Sequence, residues 1–146
     1  MIHLIVDSTF GIEEEFAKEK NIEVVSLKLI LDDKHYVEGF EKNWSEFYND
    51  LELSKGFPTT SQPSPEDFKD AISKILDKDG NAEILILTIT QSLSGTIHAA
   101  TLATKDFNGK KIVALDSKTG TAGGRILVEE LVELIENGAT FEEVIE

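Results

Sequence analysis

The stretch from Glu83 to Ala103 limits what this chain can fold into more than any other part of it. Ile84 to Ile89 is a near-continuous apolar run, the pattern of a strand buried on both faces, and Ala99, Ala100, Leu102 and Ala103 follow at helical spacing. Between them lies the polar turn Gln91-Ser92-Leu93-Ser94-Gly95-Thr96. A buried strand therefore feeds a helix through a turn that carries hydroxyls at Ser92, Ser94 and Thr96, with Gly95 allowing close backbone approach. The unpaired amides and positive dipole end of such a helix make the turn a pocket for a small anion. Capping by Ser94, with Gly95 and Thr96 as the first turn, accounts for one hydroxyl without a ligand but leaves the others unexplained.

The amino-terminal segment repeats the arrangement. Ile2 to Val6 is a short apolar strand that ends in Asp7-Ser8-Thr9-Phe10-Gly11 before the helical pattern of Ile12 to Lys20. Asp7, at the carboxyl end of a buried strand, has two open readings: a turn cap, or a carboxylate that orients a hydroxyl or binds a metal. A phosphatase-type aspartyl nucleophile would want a second Asp two residues on. Position 9 is Thr, which disfavours that chemistry. Ile22 to Leu31 contains a second strand, and Asp32-Asp33-Lys34 reads as a turn into a hairpin or short outer strand over His35 to Glu38, closed by Gly39. Trp44 to Leu53 has a helical apolar stripe with Asn43 as its cap, and Trp44 reads as packing rather than ligand stacking.

Ser54 to Pro65 holds all three prolines of the chain and reads as a long loop without structure of its own, a kind of segment that often carries function. Ser64 caps the following helix, with Pro65 at its first position and Asp67 two residues further in. That leaves Thr59, Thr60, Ser61 and Gln62 as a second cluster of neutral hydrogen-bonding groups on a stiffened backbone. Phe68 to Leu76 is an amphipathic helix, and Lys111 to Leu115 is the last strand, ending in Asp116-Ser117 and a glycine-rich run. Arg125 to Ile135 is a helix stopped by Asn137-Gly138, and Gly123-Gly124 before it indicate close helix-sheet packing.

Strand and helix alternate four times, which predicts an α/β fold: a mostly parallel sheet with helices on both faces, one domain over residues 1–146, and a site at the carboxyl ends of the strands. The hydroxyl-bearing ends at Asp7-Ser8-Thr9, Gln91 to Thr96 and Asp116-Ser117 share one edge, within reach of Thr59 to Gln62. Twenty-eight acidic residues against fourteen Lys and Arg give a formal charge of −14, which opposes binding to nucleic acid. An anion in this pocket must be met locally by hydroxyls and amides. There is no cysteine, so thiol catalysis and disulfides are excluded. No apolar run is long enough to cross a bilayer, and Met1 leads directly into a strand, so a cytoplasmic protein is expected. His3, His35 and His98 read as ordinary side chains, and no metal or cofactor is expected. Thr140-Phe141-Glu142-Glu143 is a capping box that opens a helix just before Glu146, as though the chain normally continues.

Four motifs carry a resemblance to the amino-terminal domain of the DegV family of bacterial fatty-acid-binding proteins: Asp7-Ser8-Thr9, Thr60-Ser61-Gln62-Pro63-Ser64-Pro65, Leu93-Ser94-Gly95-Thr96, and Asp116-Ser117 with its glycines. The resemblance spans all 146 residues in order. It implies a bound long-chain fatty acid, with the carboxylate held at Thr60 or Ser61 and at Ser94, Gly95 and Thr96, and the tail in an apolar tunnel. Asp7, Ser8, Ser92, Asp116 and Ser117 would support them. It implies a binding protein rather than an enzyme, at most transiently at a membrane, and in some members a partner of a fatty acid kinase that phosphorylates the bound carboxylate. The family's second domain, which covers the lipid, has no counterpart in this sequence. Two other functions compete. An enzyme handling acyl esters or phosphates through Ser94 would need a base, and no Gly-x-Ser-x-Gly elbow is present. A phosphate or nucleotide binder would use the same helix end, without either glycine-rich phosphate fingerprint.

Overall fold

A computed structural model describes residues 1–38 and 44–146. The expected cap at Asn43, the closing Gly39 and the side chain of Trp44 lie outside the described part. In chain order the elements are β1 (Ile2–Asp7), a 3-10 turn (Ser8–Phe10), α1 (Glu14–Glu19), β2 (Ile22–Val25), β3 (Lys28–Leu31), β4 (Lys34–Val37), α2 (Trp44–Leu53), β5 (Thr59–Ser61), α3 (Pro65–Leu76), β6 (Glu83–Thr88), α4 (Thr96–Thr104), β7 (Lys111–Asp116), α5 (Thr121–Glu136) and α6 (Phe141–Ile145).

The apolar runs form a four-stranded parallel sheet in the order β2-β1-β6-β7. Side chains alternate across it, so each run feeds two cores. Leu4, Val6, Leu85 and Leu87 pack with Val128 and Val132 of α5 and with Phe141 of α6. Ile5, Ile84 and Ile86 pack on the other face with Phe68 and Ile72 of α3 and with Ala99, Ala100 and Ala103 of α4. Helices thus cover both faces, as the alternation predicts. Among the described residues no helix is long and apolar enough to cross a membrane.

Helix ends follow local chemistry. Ser64 Oγ accepts from the Asp67 amide at 3.2 Å while Asp67 Oδ2 accepts from the Ser64 amide at 2.7 Å, with Pro65 at the first helical position. Thr140 and Glu143 build the same box at the start of α6. The helix predicted from Arg125 begins four residues earlier, at Thr121, so Gly123 and Gly124 lie inside α5. The buried Gly124 faces the Phe10 ring, and a Cβ there would overlap that ring. Packing decides this glycine.

Two expectations change. The apolar segment Ile22 to Leu31 is broken at Ser26-Leu27: β2 joins the parallel sheet, whereas β3 enters a separate antiparallel sheet ordered β4-β3-β5. The Ser54 to Pro65 segment is not structureless, because Thr59–Ser61 pairs with β3, Thr60 opposite Leu29 and Ser61 opposite Lys28. Three exposed hydroxyl residues carry no apolar alternation, so only the partner strand reveals them as a strand. This small sheet rests on a core of its own, in which Leu29, Leu31 and Phe47 meet and the Tyr36 ring stands edge-on to Phe47 at 5.2 Å.

Candidate functional site

β1 continues outward to β2, and β6 continues in the opposite direction to β7. The two connections diverge at the carboxyl ends of the central pair and leave a crevice there, the usual ligand position in open α/β sheets. Asp7 holds that crevice in shape. It is fully buried; Oδ1 accepts from the Thr9 amide at 3.0 Å and from the Thr9 hydroxyl, and Oδ2 accepts from the Ile89 amide at 2.7 Å across the sheet. Burial pushes its carboxyl above the usual range, these hydrogen bonds pull it back, and the negative charge of Glu38 adds to the rise.

The cleft beyond this clasp has a volume of 490 Å³. Leu27, Ile89 and Leu93 give it apolar walls, and Thr60, Gln62, Ser94 and Gly95 line it with neutral polar groups. Thr9, Thr121 and the carboxylate of Glu38 complete the lining. The position preceding α4 is Gly95 rather than Ser94, and no side chain caps the helix. Ser94 Oγ instead lies 2.8 Å from Thr96 Oγ1, on a threonine that is fully buried. The amides of Gly95, Thr96 and Ile97 therefore find no acceptor among the described residues. That arrangement can take a single anionic oxygen pair without a cation. Ser94 has no imidazole or carboxylate within hydrogen-bond reach among the described residues.

The residues singled out in the sequence divide by position. Thr60, Ser94 and Gly95 face one another in the cleft, and Thr96 supports Ser94 from below. Ser61 does not line it. Strand alternation sends it to the opposite face from Thr60, and its hydroxyl reaches only the Gln62 carbonyl at 3.4 Å. Ser8 is a strut: its Oγ accepts from the Leu27 amide at 2.9 Å and donates to Glu38 Oε2 at 2.6 Å, fastening β3 to the end of β1. Ser92 is exposed, away from the cleft, its amide turned to Thr90 Oγ1. Asp116 and Ser117 shape their own turn, Asp116 accepting from the Lys118 amide at 2.8 Å and Ser117 Oγ from the Thr119 amide at 3.2 Å. Thr119 then accepts from the Thr90 amide at 2.9 Å, which ties that turn to the one after β6. No cluster of three or more metal-ligating side chains occurs among the described residues.

Glu38 was invisible to sequence reasoning, since one acid among twenty-eight carries no signal. Gln62 had a signal, its place in the hydroxyl cluster before Pro63, but no geometry.

Fold and cleft define an open α/β sheet whose crevice at the strand-order reversal is lined by hydroxyls, amides and one uncapped helix end. The chain belongs to the DegV family: the family model described as "Uncharacterised protein, DegV family" matches residues 1–146. A DegV domain-containing protein of Clostridium acetobutylicum is 31% identical over 144 residues, which is 99% of this chain and 50% of that protein. A structure concerned with fatty acid binding of a DegV family protein from Thermus thermophilus aligns with a TM-score of 0.87 at 32% identity, over 99% of this chain and 50% of that one. The Streptococcus pneumoniae fatty acid kinase (Fak) B3 protein loaded with linoleic acid aligns with a TM-score of 0.82 at 25% identity, over 99% of this chain and 52% of that one. The chain thus spans about half the length of the relatives it matches.

Proposed function

We propose that residues 1–146 form a lipid-binding domain that holds the carboxylate of a long-chain fatty acid. The observation that carries this reading is the meeting of Thr60, Ser94 and the uncapped amides of Gly95 and Thr96 in one cleft with Leu27, Ile89 and Leu93 beside them. The head lies against the start of α4, and the chain leaves along the apolar walls. Each buried methylene contributes about 0.8 kcal/mol, so the tail supplies most of the affinity and the head needs only to keep its charge paired. A hydrogen bond to a charged group adds about 1.5–3 kcal/mol, so a few neutral donors suffice in a chain of this acidity. The acid is a cargo, with Asp7, Ser8, Asp116 and Ser117 supporting the turns that meet it. The bound carboxylate, at the open end of the cleft, is presented to a fatty acid kinase; the likeness to the pneumococcal protein supports that partner.

Organic extraction of the purified chain, followed by mass spectrometry, and melting with and without oleate test the reading. A released long-chain acid, or a rise in Tm with oleate, is expected. If neither occurs, this domain does not hold the lipid.

A further inference from the structure

The Gln62 side chain is the amide of the cleft lining, and the fold leaves its hydrogen-bonding capacity unused. Its backbone is fixed between Ser61, the last residue of β5, and the buried Pro63. The residue is exposed, and its carboxamide makes no hydrogen bond among the described residues, but its amide end rests against Gly95. A Cβ built on Gly95 would stand 2.6 Å from Gln62 Oε1 and 3.4 Å from both Cδ and Nε2. The carboxamide therefore lies against Gly95, the residue that precedes α4, with its oxygen nearest. A half-turn about the Cγ–Cδ bond exchanges its oxygen and nitrogen, so the same position offers two N–H donors when an anion is present. Three other polar side chains of the lining are already engaged, while the hydroxyls of Thr60 and Thr121 stay open to a ligand. Thr9 donates to Asp7, Ser94 pairs with Thr96, and Glu38 accepts from Ser8.

We infer that Gln62 is the side chain that selects a charged headgroup in this cleft, and that position 95 is glycine because any side chain there would push the carboxamide aside. The inference rests on the fatty-acid reading of the site and adds its selectivity. Gln62 closes over the head from the β5 side while the α4 amides meet it from below, so a carboxylate has donors on two sides. An alcohol or methyl ester meets the same groups only through the weaker hydrogen bonds of an uncharged head. Glu38, the one carboxylate of the lining among the described residues, makes an unassisted anion unwelcome, which makes an added neutral donor worth more.

The test is a cycle of Gln62→Ala, Gly95→Ala and the double variant, with oleate and oleyl alcohol binding measured by titration alongside urea unfolding. Gln62→Ala is expected to weaken oleate about tenfold or more, the worth of one hydrogen bond to a charged group, and to leave oleyl alcohol within about twofold. Gly95→Ala is expected to weaken oleate similarly with little loss of stability, because its Cβ meets the far end of a flexible side chain. The double variant should bind like Gln62→Ala alone. If the unaltered chain binds oleate and Gln62→Ala binds it as tightly, or loses alcohol and acid equally, the inference is overturned and the function stands. If the unaltered chain binds no acid, the functional reading falls and takes the inference with it.

Discussion

β1 carries an ionisable side chain near each end, and the two are treated oppositely. Asp7, at the carboxyl end, is fully buried and both its oxygens accept hydrogen bonds, from Thr9 and from Ile89. His3, near the amino end, is only half-buried, but its Nε2 is covered, has no hydrogen-bond partner among the described residues and stands 3.9 Å from Asp79 Oδ2, too far for a hydrogen bond. Burial drives both toward their neutral forms, raising the Asp7 carboxyl and lowering His3. At neutral pH that suits the imidazole and opposes the carboxylate. The fold supplies donors to the group that needs them, at the end of the sheet where the turns must be held open. The amino-end rim carries exposed ion pairs instead, such as Lys111 with Glu83 and Glu142. One end of the sheet is braced from within by neutral donors, the other from outside by charge.

The largest effect expected from this contrast is at Asp7. Asp7→Ala strands the buried Ile89 amide and releases the Thr9 turn, at a cost of about 2–3 kcal/mol in urea unfolding. Because Ile89 lines the cleft, oleate affinity should fall as well. A loss of stability below about 0.5 kcal/mol would show that Asp7 is no clasp, and that the two ends of β1 do not differ in the way described.

How much of this was legible in the sequence depends on what kind of pattern each part uses. The parallel sheet was readable because its strands are buried on both faces and announce themselves as apolar runs, as in Ile84 to Leu87. The capping boxes at Ser64 and Thr140 were readable because a cap and its third residue are local. β5 was not, since Thr-Thr-Ser becomes a strand only beside β3, and the break at Ser26-Leu27 changes sheets without changing hydropathy. The same limit governed the site. The family resemblance implied a contact at Thr60 or Ser61 without choosing between them, and strand parity, which needs the register, sets Thr60 rather than Ser61 in the cleft lining. The two readings of Asp7 were open until its partner 82 residues away came into view. Ser94 as a cap was a sound local expectation, overridden because its hydroxyl turns to Thr96.

A smaller effect should appear at the other end of β1 on acidification. His3 has its pKa lowered from 6.5 by folding, so its neutral form is favoured in the folded state. Its contribution is intact above about pH 6.5 and is lost as pH falls through that value toward the lowered one. Asp7 has the reverse sign, its contribution being intact below 3.8 and lost as pH rises through the raised value. As pH falls from 7.5 to 5.5 the His3 contribution declines, and urea titration should show stability falling with it. His3→Gln should flatten the slope. An unchanged slope in that variant would mean that the amino end tolerates charge after all, and the asymmetry along β1 would have to be sought elsewhere.

The smallest effect is expected where the rim is braced by charge. Lys111 reaches Glu83 and Glu142 and passes 5.3 Å from the Phe141 ring centre, which makes it the best-connected cation of that rim among the described residues. It is nonetheless about half exposed, its side chain 49% accessible. Exposed pairs give up in side-chain entropy and screening most of what attraction supplies, so Lys111→Ala should cost only about 0.3–0.8 kcal/mol, and less in high salt. The cleft should be indifferent to it, because Lys111 begins β7 at the end of the sheet away from Ser94 and Gly95. A loss above about 1.5 kcal/mol that persists in salt would mean that this end too is braced from within, through packing of the lysine stem on Phe141. A change in oleate affinity would mean that the two ends are coupled through β6 and β7, and that the neutral cleft depends on the charged rim it stands apart from.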